Sequence, residues 1–384
     1  RSGKLLLARD PVGMKHLYWS DTPAGFVFAS EARALIAAGL VTPRPDWHSL
    51  STYFSIGWVQ SPRSAFKNLQ RLEPGSYLIR SQHEIQQGRY WVPEYHQADP
   101  DRSLEDYAEE LKGLLNHAAG THLDTDVPVG LFLSGGWDSS LVSLYAGRHS
   151  SKPLNSYSLV FPGAPASDES VFAAQVAQQI GAQSHEIEVR APDVLAVLEK
   201  TSNALEEPVV TAPTALEYLL AQAAGADLKV ALGGEGSDEI FAGYSRFEHS
   251  PLHRLRAAVP HQLFPRSLPL ALSPRWSRAL KFMAATDDER AHLELNSFLV
   301  PEQTASLLDR DIPFVPRPGP EAIGISAATR ASFRDRLDLQ LTVEFTSRLA
   351  DGILFAVDKT SMAHSLEVRM PFLDLDVVEF AHRL

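Results

Sequence analysis

Residues 134–140 read SGGWDSS and stand between the apolar run VPVGLFL and the segment LVSLYAG. Gly135 and Gly136 let the backbone curl with its N–H groups turned inward, and a helix beginning near Ser139 aims its positive end at the same spot. The result is an anion cradle, to which the hydroxyls of Ser134, Ser139 and Ser140 add neutral donors. No Gly-Lys-Ser/Thr follows, so the lysine that grips the β- and γ-phosphates in a Walker A loop is missing. Asp138 in such a cradle repels phosphate unless a divalent cation stands between them, and Mg²⁺ favours one or two carboxylates together with phosphate oxygens. By itself, a glycine-rich turn with an aspartate is also an ordinary structural connection.

A second stretch, GGEGSDEIFAGY at 233–244, repeats the design: the run KVAL, two glycines, then acids on a turn that enters a helix. Two such turns at the carboxyl ends of parallel strands face one crevice, with Asp238 near Asp138 to share a metal and Glu235 between metal and substrate. Solvated acids on a β-to-α connection are the plainer alternative. A third stretch, VDKTSMAHSLEVRMPFLD at 357–374, puts Glu367 and Arg369 on one side of an extended segment and closes with a turn at Pro371–Asp374. Taken alone, that pair is a structural ion pair.

The elements that must position these residues follow from periodicity. From residue 1 to about 92, KLLLARD, GFVFAS and GSYLIR are short β-prone runs separated by the turns DPVG, TPAG and EPGS, which predicts a mostly antiparallel module. A Pro/Asp-rich connection over 93–103 reads as a linker. Ser103 with Asp106 forms a capping box, and Leu104, Tyr107, Ala108, Leu111, Leu114 and Leu115 recur at helical spacing, so a helix opens a second domain over 104–384. Strand and helix then alternate: VPVGLFL, a helix from Ser139, LNSYSLVF, the helix ESVFAAQVAQQI ended by Gly181, SHEIEV, helices from about 192 and 213, and LKVALGG. Such alternation predicts βαβ units and a parallel sheet covered on both faces. From about 247 to 357 the chain reads as helices with Pro-rich joints, among them PRWSRALKFMAA and LQLTVEFTSRLADGILFAV.

Composition narrows the chemistry. The 384 residues, 44% of them hydrophobic, suffice for two full cores. A formal charge of −12 without a Lys/Arg-rich stretch argues against a nucleic-acid partner. No apolar run approaches the roughly 20 residues that span a bilayer, and the first residues lack the pattern of a signal peptide, so a soluble, cytoplasmic protein is expected. There is no cysteine, which excludes disulfides, thiolate metal ligation and a cysteine nucleophile among these residues. KLLLARD begins inside a strand pattern and VVEFAHRL stops inside a helical one, so a fragment of a longer chain is expected.

Together, LFLSGGWDSS, GGEGSDEIFAGY and DKTSMAHSLEVRMPFLD resemble the glutamine-dependent asparagine synthetases, and the N-terminal LLLARDPVGMKHLYW, FVFASEARAL and LEPGSYLIR are similar to the later part of that family's glutaminase domain. The resemblance covers almost the whole chain. It implies an α/β and α+β architecture: part of an Ntn-type glutaminase domain of antiparallel strands, then a parallel-sheet ATP-pyrophosphatase domain with a helical C-terminal part. It also implies a reaction in which ammonia released from glutamine converts β-aspartyl-AMP, made from aspartate and ATP, to asparagine. Residue by residue, Ser134, Gly135, Gly136, Asp138, Ser139 and Ser140 then hold pyrophosphate, with Asp138 and Asp238 on Mg²⁺. Phe132, Leu133, Leu159, Gly233 and Gly234 lie along the nucleotide, and Glu235 matches the acid that forms and consumes the acyl-adenylate, as a base for ammonia or as a partner behind the metal.

Three positions depart from the family pattern: Trp137 stands for a usual aliphatic residue, Gly233 for a usual serine and His16 for a usual proline. Trp137 is expected to pack under its loop. The family's N-terminal cysteine nucleophile and its catalytic lysine beyond PFLD are both missing, so the N- and C-terminal parts of the whole protein are expected outside this sequence. The alternatives are relatives on the same fold that activate another carboxylate, such as β-lactam synthetases, lasso-peptide cyclases or polysaccharide-pathway amidotransferases, and a non-catalytic nucleotide-binding module. Thiolating tRNA enzymes, which share the first loop, are discounted for want of cysteine and basic surface. A homodimer is compatible with the family.

Overall fold

The computed structural model describes residues 3–384 except 83, 163–168, 211–212, 245, 248–254, 257, 265–272 and 309–324, and leaves aside the side chains of residues 274, 289 and 301. The chain divides into two compact units, one formed by residues 1–95, 206–211 and 243–355, the other by 96–205, 212–242 and 356–384.

The first unit carries two antiparallel sheets. Strands β1 (Leu5–Ala8), β5 (Ser76–Arg80) and β6 (Ile85–Arg89) form one in the order β1-β5-β6; β2 (Tyr18–Thr22), β3 (Gly25–Ala29) and β4 (Gln70–Arg71) form the other in the order β3-β2-β4. KLLLARD, GFVFAS and GSYLIR are thus strands, as their pattern predicts. The strand β6, IQQGR, has no alternating apolar face and owes its conformation to five cross-strand pairs with β5. The DPVG turn forms because the Asp10 carboxylate accepts N–H bonds from Gly13, Met14 and Lys15. Leu7, Trp19, Leu72 and Leu78 make one core cluster, and Tyr18, Ala32, Leu35, Val41 and Leu69 another beneath helix α1 (Ala32–Ala37).

Buried charge knits this unit together. Asp351 lies in a π-helical run, Glu344–Ile353, within the segment whose pattern predicts a plain helix. Its carboxylate accepts bonds from the Ser61 amide and hydroxyl, both at 2.7 Å, and from Gln60 Nε2 at 3.0 Å. The guanidinium groups of Arg9 and Arg71 stand 3.9 and 3.7 Å away, all three side chains being closed to solvent. His16, at the position where proline is usual, points Nδ1 at Arg9 Nη2, 2.9 Å away. Arginine can only donate, so Nδ1 accepts and the ring is neutral with its proton on Nε2. The helical region beyond 247 contains Pro274–Ala284, Asp288–Leu295, Arg336–Val343 and Leu354–Met362; part of the Pro-rich joints lies outside the described residues.

The second unit is built on a five-stranded, all-parallel sheet. Its strands are β7 (Val129–Phe132), β8 (Asn155–Val160), β9 (Gln183–Glu188), β10 (Val230–Leu232) and β11 (Glu367–Arg369), in the order β11-β10-β7-β8-β9. Helix α2 (Leu104–Leu123) opens it with the expected capping box: Ser103 Oγ accepts from the Asp106 amide and Asp106 accepts from the Ser103 amide. Helices α3 (Trp137–His149), α4 (Ser170–Ile180), α5 (Ala191–Leu205) and α6 (Thr214–Ala224) connect the strands. Gly181 ends α4 at φ 67°, where a side chain would be strained. From β7 the chain moves outward to β8 and β9, then returns to the other side of β7 as β10. The junction of β7 and β10 is therefore a topological switch point, where open parallel sheets hold their ligands.

Candidate active site

Both glycine-rich turns sit at that switch point. The first follows β7, and α3 begins at Trp137, two residues before the expected start. Within the turn the Ser134 amide donates to Ser139 Oγ at 3.2 Å, the two serine hydroxyls lie 2.9 Å apart, and the Gly136 amide donates to Ser134 Oγ at 3.2 Å. Ser139 is buried and serves the turn itself, whereas Ser134 is exposed. Gly135 has φ 89°, and a Cβ there would overlap the Glu169 carbonyl and stand 3.0 Å from the Ala173 amide. Glycine thus allows the N-terminal end of α4 to close against the turn. Leu133 anchors the turn from below, buried with Ala173 and Ala177, its carbonyl accepting from Ser158 Oγ at 2.6 Å. Phe132 and Leu159 are half-buried at the ends of β7 and β8, and the Ser140 amide bonds to the Gly136 carbonyl.

The second turn follows β10 and leads through Gly236, at φ 97°, into the short helix α7 (Ser237–Phe241). It meets the first turn directly: a Cβ on Gly234 would stand 2.6 Å from the Ser139 amide nitrogen and 3.0 Å from the Asp138 carbonyl carbon. Asp138 and Asp238 thus occupy the first turns of two helices, α3 and α7, that begin at neighbouring strand ends. Among the described residues no group of three or more His, Cys, Asp or Glu gathers to hold a metal. Two carboxylates suit Mg²⁺, which keeps most of its shell for water and phosphate oxygens.

Glu235 is the chemically unusual group. Its Oε2 is sealed from solvent without a hydrogen-bond partner among the described residues. Burial pushes its pKa upward and the charge of Asp138 adds to the rise, while its own backbone N–H draws it back. The carboxyl folds over Gly233, where any Cβ would run into Oε2. The glycine that replaces a serine there clears that space.

The third stretch buttresses the second turn. β11 pairs with β10, the Arg369 carbonyl accepts from the Gly233 amide at 2.9 Å, and Leu373 packs where a Cβ on Gly236 would otherwise sit. Arg369 pairs with Glu367 at 3.0 Å and donates to the His122 carbonyl, an ion pair of structural kind.

Trp137 corrects an expectation. Instead of packing under the loop it is 87% exposed, because the buried stripe of α3 runs through Ser139, Val142, Ser143 and Ala146 and the first helical position falls on the opposite side. A second acid escaped sequence reasoning. Glu217, the lone charge in TALEYLLAQAA of α6, also has a sealed Oε2 without a hydrogen-bond partner among the described residues, and burial together with the charge of Glu235 raises its pKa to about 8. The readable signal was that single carboxylate in an otherwise uncharged helix.

The asparagine synthase family matches residues 110–384, and a glutamine amidotransferase domain matches 1–91. The putative glutamine-hydrolysing asparagine synthetase of Mycobacterium tuberculosis H37Rv is 30% identical over 395 residues, covering 99% of this chain and 59% of its own. Asparagine synthetase 1 of Bacillus subtilis is 27% identical, covering 98% of this chain and 59% of its own. Amidase chyE of Penicillium rubens is 28% identical, covering 99% of this chain and 61% of its own. The chain therefore spans about three-fifths of the length of these relatives.

Proposed function

Because this chain belongs to the asparagine synthase family, we propose that it is part of an AMP-forming amide ligase that uses glutamine as nitrogen donor. In this reading residues 1–92 belong to the glutaminase module and 104–384 to the synthetase module. The observation that carries it is the close approach of Gly234 to Ser139, which joins two acid-bearing glycine turns into one cradle.

The substrate carboxylate, aspartate first among candidates, attacks the α-phosphorus of ATP. Ser134 Oγ and the backbone N–H groups of the first turn bind the departing pyrophosphate, with the positive end of α3 behind them. Ser139 supports the turn and Ser140 lies on its helical side. Phe132, Leu133, Leu159, Gly233 and Gly234 border the nucleotide. Asp138 and Asp238 would hold Mg²⁺, which would supply neutralisation of the charge that leaves with pyrophosphate. Ammonia then attacks the acyl carbon, AMP departs, and Glu235 receives the proton lost by nitrogen. A carboxylate whose pKa is raised by burial is the stronger base for that step. The glutaminase nucleophile is not among these residues, which contain no cysteine.

A second reading, a relative acting on a larger carboxylate, is favoured by the exposed Trp137 and by Val171 and Phe172, exposed on the first turn of α4. ATP–pyrophosphate exchange in the full-length protein separates the two. Mg²⁺-dependent exchange with aspartate is expected; exchange only with bulkier apolar carboxylates moves the assignment to the second reading, and none with any carboxylate sinks both.

A further inference from the structure

Arg246 and Arg348 bring two guanidinium groups to one carboxylate in the first unit. Nη2 of Arg246 donates to Glu344 Oε2 at 2.6 Å, and Nη1 of Arg348 approaches the same oxygen at 3.5 Å. Both cations also lie over one ring, that of Tyr244, their Cζ atoms 3.8 and 5.0 Å from its centre. The other Glu344 oxygen meets His292 Nε2 at 3.0 Å. Glu344 is buried, whereas the two arginine side chains keep 23% and 32% of their surface open to solvent.

Three observations point to an anionic ligand. One carboxylate balances only one of the two cations, and like charges gathered at one ring repel each other unless a second anion joins them. Arg246 Nε is sealed from solvent without a hydrogen-bond partner among the described residues. Arginine can only donate, so that nitrogen calls for an acceptor. Finally, Glu344 opens the π-helical run Glu344–Ile353, and π turns are rare and recur at functional sites.

We propose that Arg246, Arg348 and Tyr244 form a binding site for the oxyanion of a small molecule, a carboxylate or phosphate group, with Glu344 as its internal stand-in. The cluster displays its own chemistry, since both arginines already hold a carboxylate oxygen. A planar guanidinium offers paired donors to such a group, and the aromatic face keeps the fork in place. An entering anion takes donors from both arginines while Glu344 keeps His292 through its other oxygen. Ligand and Glu344 thus compete for the same N–H groups. None of these residues takes part in the proposed ligase chemistry, so the site stands or falls independently of it.

The test is binding, read without turnover. Full-length protein is titrated calorimetrically with sodium succinate and with sodium phosphate, each against sodium chloride at equal ionic strength, and the unfolding midpoint is followed alongside. Saturable binding of at least one anion is expected, and the tighter of the two names the ligand's anionic group. Arg246→Gln and Arg348→Gln are each expected to weaken it by about tenfold or more, the scale of a charge-assisted hydrogen bond. Arg246→Lys and Arg348→Lys keep the charge without the fork and should fall between, which also covers a glutamine variant that fails to fold. Glu344→Gln removes the competitor and is expected to tighten binding. Arg336→Gln, at an arginine of the same unit paired with Asp288, is expected to bind like the wild type. Phosphate held at the glycine turns of the second unit is unmoved by the Arg246 and Arg348 variants. No saturable binding of either anion, binding that those variants leave unaltered, or weaker binding in Glu344→Gln overturns the proposal.

Discussion

Gly234 faces the Ser139 amide across a gap that no side chain can occupy: a Cβ added there would stand 2.6 Å from that nitrogen, and the neighbouring atoms are backbone rather than a yielding side chain. Gly234→Ala must therefore push the second turn off the first. Exchange of pyrophosphate into ATP is expected to fall by about two orders of magnitude, the scale on which misplacement by an ångström acts. The unfolding midpoint should move little by comparison. Wild-type exchange in the alanine variant would separate the cradle from catalysis.

Asp138→Asn and Asp238→Asn each remove one carboxylate from the proposed Mg²⁺ pair. Each is expected to raise the Mg²⁺ concentration needed for half-maximal exchange by about tenfold or more, by the usual scale of losing a ligand or its support. Asp138→Asn carries a second signature, because the charge of Asp138 helps raise the Glu235 pKa. The acidic limb of the amide-formation profile should move to lower pH in that variant and stay put in Asp238→Asn.

Glu217 makes stability depend on pH. Its pKa rises from 4.5 to about 8 on folding, so the native state retains a proton that the unfolded chain has lost. No cost is incurred below pH 4.5; stability declines as pH rises through the interval and the full cost is reached above about 8. Glu217→Gln removes the ionisation, so its gain over the wild-type protein should be larger at pH 9 than at pH 5 in urea titrations. An equal difference at both values would show that Glu217 titrates normally.

The buried Asp351 is expected to be the costliest polar position of the first unit. Replacing it with alanine leaves Arg9 and Arg71 facing each other in a closed interior, a loss of about 3–5 kcal/mol in denaturant titration. Trp137→Leu, at an 87% exposed position, is expected to change stability by less than about 0.5 kcal/mol. Its effect should appear instead in the KM of the carboxylate substrate.

The glycine spacing in 134–140 and 233–244 was enough to read the two turns, because glycine is demanded wherever backbones nearly touch, as at Gly135 and Gly234, or where φ is positive, as at Gly236. The alternating strands and helices of the second unit were legible for the same local reason, periodicity. Trp137 was misread because the residue type suggests burial while the helix phase decides it. β11 has three residues and exists through its pairing with β10, so its own sequence announces no strand. The Asp351 network joins residues nearly three hundred positions apart. Tertiary relationships of that kind leave no local trace.

The hydrogen bond from the Gly233 amide to the Arg369 carbonyl gives the cradle a timetable. During synthesis β7 leaves the ribosome first, β10 follows roughly a hundred residues later, and their closure must wait for that intervening loop. β11, which steadies the second turn, emerges later still. A nascent chain therefore carries half of the proposed nucleotide site for much of its translation, and the half proposed to bind phosphate charge is born before the half that supplies Glu235.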